Sequence, residues 1–152
     1  MPDRLLLDRR TLLQTIAVTA GGGLSAGCST NATTNDEQPS FDGWLENTDN
    51  YDGVVDKTDA KSVAVAVGAE GINAGFAFDP PALRITTGTT VRWEWTGIGG
   101  AHNVVATDGA FKSKLSDSAT MTFQHRFESS GTYKYACKPH SSQGMKGVIV
   151  VQ

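Results

Sequence analysis

Few side chains in this 152-residue chain can carry chemistry. It holds two cysteines, three histidines and three methionines. Two cysteines are too few for a disulfide-stapled scaffold or a four-thiolate zinc site, so each thiol needs its own account. The histidines stand at positions 102, 125 and 140 and form no His-x-His pair, which leaves nothing to build a multinuclear metal cluster. Basic surplus is also missing. Thirteen Lys+Arg face sixteen Asp+Glu, a net charge of -3, and nucleic-acid phosphates would meet no excess of cations. The chain lacks the repeated long apolar runs of a polytopic membrane protein, any sustained helical period and any useful internal repeat. It does have a 39% hydrophobic composition with seventeen Gly, three Trp, six Phe and three Tyr. That composition can bury a core, and the length suits one compact domain.

The first 27 residues read as an exported chain's address. Arg9-Arg10 precede Leu12-Leu13, and Thr11 to Gly27 is an uncharged stretch of seventeen residues. Gly21-Gly22-Gly23 makes it too weakly helical and apolar for a spanning helix, so a signal peptide is expected over 1–27. The adjacent arginines resemble the twin-arginine pattern, with Asp8 where that pattern has Ser or Thr. Leu24-Ser25-Ala26-Gly27-Cys28 resembles a lipoprotein cleavage box, although the aliphatic residue lies one position further back than usual. Cys28 is therefore the expected lipidation site and membrane anchor. Two or more acyl chains there would attach stably, at about 0.8 kcal/mol per buried methylene.

Residues 28–40 are almost wholly polar, with Ala32 the only hydrophobic residue from Ser29 to Ser40, and read as a flexible tether. Asn31-Ala32-Thr33 within it is a glycosylation sequon. An acidic segment follows at 41–60. From 36 to 59 there are eight acidic side chains against the single Lys57, interleaved with Phe41, Trp44, Leu45, Tyr51, Val54 and Val55. Such a segment should lie across a domain surface with its apolar residues down and its acids in solvent.

From residue 61 onward the apolar positions recur at period two between Gly/Pro/Ser/Asp breaks. Strands are expected near 63–67, 83–86, 91–95, 103–106, 120–127, 132–136 and 147–151. Seven short strands at that spacing predict an all-β fold for 61–152, an antiparallel Greek-key sandwich or barrel. Trp93 and Trp95 share one strand face and are expected in its core.

One cluster gathers several of the scarce residues. Cys137-Lys138-Pro139-His140-Ser141-Ser142-Gln143-Gly144-Met145 connects the last two expected strands. Three residues of spacing let Cys137 and His140 face one ion, and Gly144 lets the chain turn Met145 back toward it. The remaining donor must come from elsewhere, and His102, just after the Gly97–Gly100 stretch, is the strongest candidate. His125 shares a face with Met121, Phe123 and Phe127 and is expected to be a packed side chain. A Cys28–Cys137 disulfide would consume both special thiols and is rejected. Two imidazoles, a thiolate and a thioether suit one copper ion in both Cu(I) and Cu(II) states, whereas structural zinc normally takes more thiolates and no Met.

These residues resemble the cupredoxin family, and within it the halocyanins of halophilic archaea. Tyr133-Lys134-Tyr135-Ala136-Cys137-Lys138-Pro139-His140 with Gly144-Met145-Lys146-Gly147-Val148 is similar to the copper loop of plastocyanins and pseudoazurins. His102-Asn103-Val104 matches the upstream ligand motif, and Phe41-Asp42-Gly43-Trp44-Leu45 through Asp56 resembles the acidic segment before the halocyanin copper domain. The resemblance implies a cupredoxin fold and a blue-copper centre with ligands His102, Cys137, His140 and Met145. It also implies a second role for Asn103, whose hydrogen bond ties the two ligand loops together near the Cys. His140 would be the electron port, in an apolar patch of Pro139, Gly144 and Ile98.

The expected function is therefore one-electron transfer, with no substrate transformed. Donor and acceptor would be redox proteins, of a respiratory chain, and the carrier a monomer held by lipidated Cys28 on the outer face of the membrane. In a halophile's medium the Debye length falls to about 3 Å or below, so acidic steering would be weak and contact shape would dominate recognition. A copper delivery or storage protein is the alternative, but it would expose several exchangeable Met or Cys donors. A fragment of a multicopper enzyme would need further His clusters, and a Cys-His hydrolase would need a third group to orient the base.

Overall fold

The computed structural model describes residues 41–152. The expected signal, tether, Cys28 and Asn31 lie outside them. Nine strands are formed in the described region: β1 (Val55–Asp56), β2 (Ser62–Val67), β3 (Phe78–Asp79), β4 (Ala82–Ile85), β5 (Thr90–Trp95), β6 (Val105–Ala106), β7 (Thr122–Arg126), β8 (Gly131–Ala136) and β9 (Lys146–Val151). They make two sheets, a five-stranded one in the order β1-β4-β9-β8-β6 and a four-stranded one in the order β3-β2-β5-β7.

The sheets face each other across one apolar core, as strand parity requires. Val65, Val67, Val91, Trp93 and Trp95 point inward from one sheet, and Leu83, Ile85, Tyr135, Ile149 and Val151 from the other. Trp93 is the hub, with ring centroids 5.3 Å from both Tyr135 and Phe111 and 5.7 Å from Phe123. Both expected core tryptophans are buried.

The five-stranded sheet is covered on its other face as well. Leu45, Ala82 and Val148 form a second buried cluster, flanked by Phe41, Trp44, Tyr51, Val54 and Val150. Burial on both faces accounts for the unbroken apolar run Val148–Val151, which a one-sided strand would alternate with polar residues. The acidic segment thus lies apolar side down, with one exception. Val55 is 38% exposed, because β1 is the edge strand of its sheet and the side chain, on the same face as Leu83, lies at that open edge.

Strand direction departs from the antiparallel expectation. β1–β4, β4–β9 and β2–β5 pair in parallel, while β2–β3, β5–β7, β6–β8 and β8–β9 are antiparallel. Period-two patterning reports which face a residue occupies and carries no information on direction, so the mixed sheets could not be read from it. Two short strands, β1 and β3, were too brief to show a period. The expected strand at 103–106 begins only at Val105, since His102 instead makes an isolated bridge to Ser116.

Candidate metal centre

His102, Cys137 and His140 converge at one end of the sandwich, each offering a donor atom, all within 4.8 Å of one another. Cys137 Sγ lies 3.6 Å from His102 Nδ1 and 3.5 Å from His140 Nδ1. His102 and Cys137 are fully buried and His140 is half-buried.

His102 is locked before any ion arrives. Its backbone N–H donates to Ser116 O at 2.9 Å, and its own carbonyl accepts from Ser116 N–H and from the Trp95 indole, each at 3.0 Å. Its ring Nε2 sits 2.7 Å from Ile98 O. A carbonyl can only accept, so Nε2 carries the proton and Nδ1 presents its lone pair to Cys137. Room behind the ring comes from two glycines: a Cβ on Gly68 or Gly99 would stand 3.1 or 2.9 Å from Nε2.

Cys137 follows β8, and its N–H donates to Met145 O at 3.0 Å. Lys138–Gln143 then form a 3-10 turn, with Pro139 at its start and Gly144 closing it at φ 93°. Gly144 supplies the left-handed conformation that returns the chain to Met145, whose N–H donates to His140 O at 3.2 Å. Met145 is fully buried in the same core cluster as Cys137. Asn103 joins the two ligand-bearing loops, its Oδ1 accepting the Lys138 N–H at 2.9 Å. His125 lies apart from this group, packed against Phe127 at 4.7 Å and Phe111 at 5.1 Å.

Two contacts at this centre were not read from the sequence. Phe76 stacks on the His140 ring at 4.1 Å and 16°, so the half-exposed imidazole has an aromatic neighbour from the Asn73–Gly75 turn. A strap at 44–48 hydrogen-bonds to the Ser142–Gly147 backbone, through residues about a hundred positions away in sequence. No local signal marks either contact. The strap also corrects the expected surface patch: Pro139 is exposed and Ile98 partly so, but Gly144 is buried beneath Asn47.

The electrostatics favour neutral imidazoles and a protonated thiol in the metal-free protein. Burial lowers the pKa of His102, against the opposing Ile98 hydrogen bond, and burial likewise lowers that of His140. Burial raises the Cys137 thiol, partly offset by hydrogen bonding from the backbone amides of Asn103 and His140. A thiolate-binding cation must therefore displace one proton, and the imidazoles contribute none near neutrality. Copper affinity is expected to rise about tenfold between pH 7 and pH 8, as one proton per ion requires. Competition titration against a chelator at the two pH values checks this, and a pH-independent affinity contradicts thiolate binding. The donor chemistry fits copper: two neutral imidazoles, one thiolate source and a buried thioether in the adjoining turn.

A two-sheet β-sandwich with this donor set at one end defines a cupredoxin. The family of copper binding proteins, plastocyanin/azurin family, matches residues 63–152, and the chain belongs to it. Among particular relatives, halocyanin of Natronomonas pharaonis is 48% identical over 106 residues, covering 67% of this chain and 64% of halocyanin. This chain thus matches somewhat under two thirds of that relative's length. Plastocyanin of Scenedesmus fuscus is 34% identical over 100 residues, covering 59% of this chain and 99% of that one. Among solved structures, a mutant plastocyanin of fern superposes with a TM-score of 0.50 at 27% identity, over 59% of this chain and 99% of the fern protein.

Proposed function

We propose that the chain is a blue-copper electron carrier that holds one ion through His102, Cys137, His140 and Met145. The observation that carries this reading is the convergence of two imidazole Nδ1 atoms on one buried cysteine sulfur. Copper bound there supplies a one-electron Cu(II)/Cu(I) couple, for which a thiolate, a thioether and two imidazoles are acceptable in both states.

The protein's own contribution is a frame tied together by hydrogen bonds. His102 is pinned at its backbone and at Nε2, Cys137 and Met145 are tied to each other through the backbone, and Asn103 bonds the two loops together. Donors fixed in this way need little rearrangement when the charge at the centre changes. His140 is the half-exposed donor, so electrons enter and leave along its ring, beside Phe76, Ile98 and Pro139. Nothing in this arrangement transforms a substrate, and a storage or delivery role would need several exposed soft donors. Asn103 serves as the clamp between the loops.

The visible spectrum with a redox titration tests the reading. Oxidised, copper-loaded protein should show an intense thiolate-to-copper band that bleaches reversibly on reduction. A folded, reduced-thiol sample that takes up copper without that band would refute it.

The finer assignments belong to the same proposal. Residues 1–27 are a twin-arginine signal, Cys28 is the lipidated anchor, 28–40 a tether, 41–60 an acidic segment and 61–152 the copper domain. The protein then works as a monomer on the outer face of the cell membrane, between a donor and an acceptor protein of a respiratory chain. The signal and the anchor rest on the Arg9-Arg10 and Leu24–Cys28 patterns. Cys28→Ala is expected to release the protein to the medium or leave it unprocessed. Unchanged membrane fractionation and an unchanged mass would count against lipidation.

A further inference from the structure

The family match begins at residue 63, and the strap lies upstream of it. Three strap side chains each donate to a different carbonyl of the metal loop. Asn47 Nδ2 reaches Ser142 O at 3.3 Å, Thr48 Oγ1 reaches Gly144 O at 2.9 Å, and Trp44 Nε1 reaches Gly147 O at 3.0 Å. The Thr48 bond is buried, and Thr48 itself is 6% exposed. Contact is close as well, since a Cβ on Gly144 would run into the Asn47 carbonyl. The carbonyls of Gly144 and Gly147 bracket Met145. On the other side Met145 bonds to Cys137 and His140 through its own C=O and N–H. The backbone that carries the Met145 thioether is therefore held between the ligand loop and the strap.

We propose that Thr48 is a positioning residue for Met145, so that the strap sets how closely the thioether approaches the ion and thereby tunes the reduction potential. This deepens the copper reading and rests on it. A thioether is the weakest donor of the set, so its distance follows the backbone that carries it more than its own bond to the metal. A buried hydroxyl-to-carbonyl bond is suited to holding that backbone, because letting go strands the Thr48 hydroxyl away from water and leaves the Gly144 carbonyl with the Lys146 N–H alone, at 2.9 Å. Loosening it should weaken the hold of the Met145 thioether on a bound ion, favour Cu(I) and raise the potential.

The test uses the full chain and four variants: Thr48→Val, which keeps the shape and removes the donor, Thr48→Ser, Met145→Leu, and Thr48→Val combined with Met145→Leu. Redox titration of the copper-loaded proteins should show a higher midpoint for Thr48→Val, in the same direction as Met145→Leu, with Thr48→Ser near wild type. In the Met145→Leu background Thr48→Val should add no further shift, since its route of action is gone. In the metal-free protein, amide exchange at Gly144–Lys146 should be about fivefold faster in Thr48→Val, for a bond of ordinary strength. Asn47→Ala, at an exposed site, should shift the midpoint less in the same direction and decides the matter if Thr48→Val does not fold. A lowered melting temperature with an unmoved midpoint overturns the proposal, as does an equal shift in both backgrounds. A wild-type protein lacking the thiolate-to-copper band overturns the copper reading itself. A normal wild-type band with no shift in the strap variants overturns only the role of the strap.

Discussion

Replacing Cys137 with serine is expected to abolish the intense visible band and to weaken copper binding by more than about 100-fold, while the protein stays folded. Sulfur and oxygen differ here in three ways. The serine hydroxyl does not ionise near neutrality, it is a hard donor, and its shorter bond withdraws it from two imidazole nitrogens that now stand 3.5 and 3.6 Å from the sulfur. The fold should survive because the substitution is nearly isosteric, and the amides of Asn103 and His140 that point at the sulfur can pair with the hydroxyl instead. Copper titration followed by absorption, with a melting curve on the same sample, separates lost ligation from lost structure. A retained band in Cys137→Ser would mean that another residue supplies the thiolate-like donor.

The largest stability effect is expected at Trp93. Its indole is fully buried and packs against Tyr135, Phe111 and Phe123, so it joins the two sheets and the loop that carries Phe111. Trp93→Ala leaves a cavity that rigid strands on both sides cannot close, at a cost of about 3–5 kcal/mol. A domain of this kind has roughly 5–15 kcal/mol in total, so the melting temperature should fall by on the order of 15 °C. Trp93→Phe keeps the aromatic contacts and should lose less than half as much. Thermal and urea unfolding of the metal-free proteins measure both. Near-equal melting of Trp93→Ala and the parent would show that the core is held elsewhere.

Parts of this architecture were legible because the relevant residues are close in sequence. Cys137, His140 and Met145 share one turn between two strands, so their spacing alone suggested a shared ion, and His102 was singled out by its place just after the Gly97–Gly100 stretch. Inward and outward faces followed from period two, down to the Trp93/Trp95 pair. The acidic segment was legible only halfway: alternating acids and apolar residues showed that it lies on a surface, and Leu45 is indeed buried there. Its grip on the metal loop was hidden, because a Thr hydroxyl and an Asn amide are generic donors until a partner roughly ninety-five residues away is brought beside them. Phe76 was hidden for the same reason. Gly144 was assigned to the exposed patch by resemblance to the family, and only the strap lying over it explains its burial.

By itself the sequence determined which donors exist and which strand faces are apolar, since both are properties of residue type and short-range order. The tertiary structure alone decided strand direction, the protonated nitrogen of His102 and the clamp on Met145. Each depends on groups that meet only after the chain has closed long loops: β2 beside β5, the Ile98 carbonyl behind the imidazole, and Thr48 against Gly144. A hydrogen bond's partner is set by position in space, and composition or periodicity does not encode position across loops of that length.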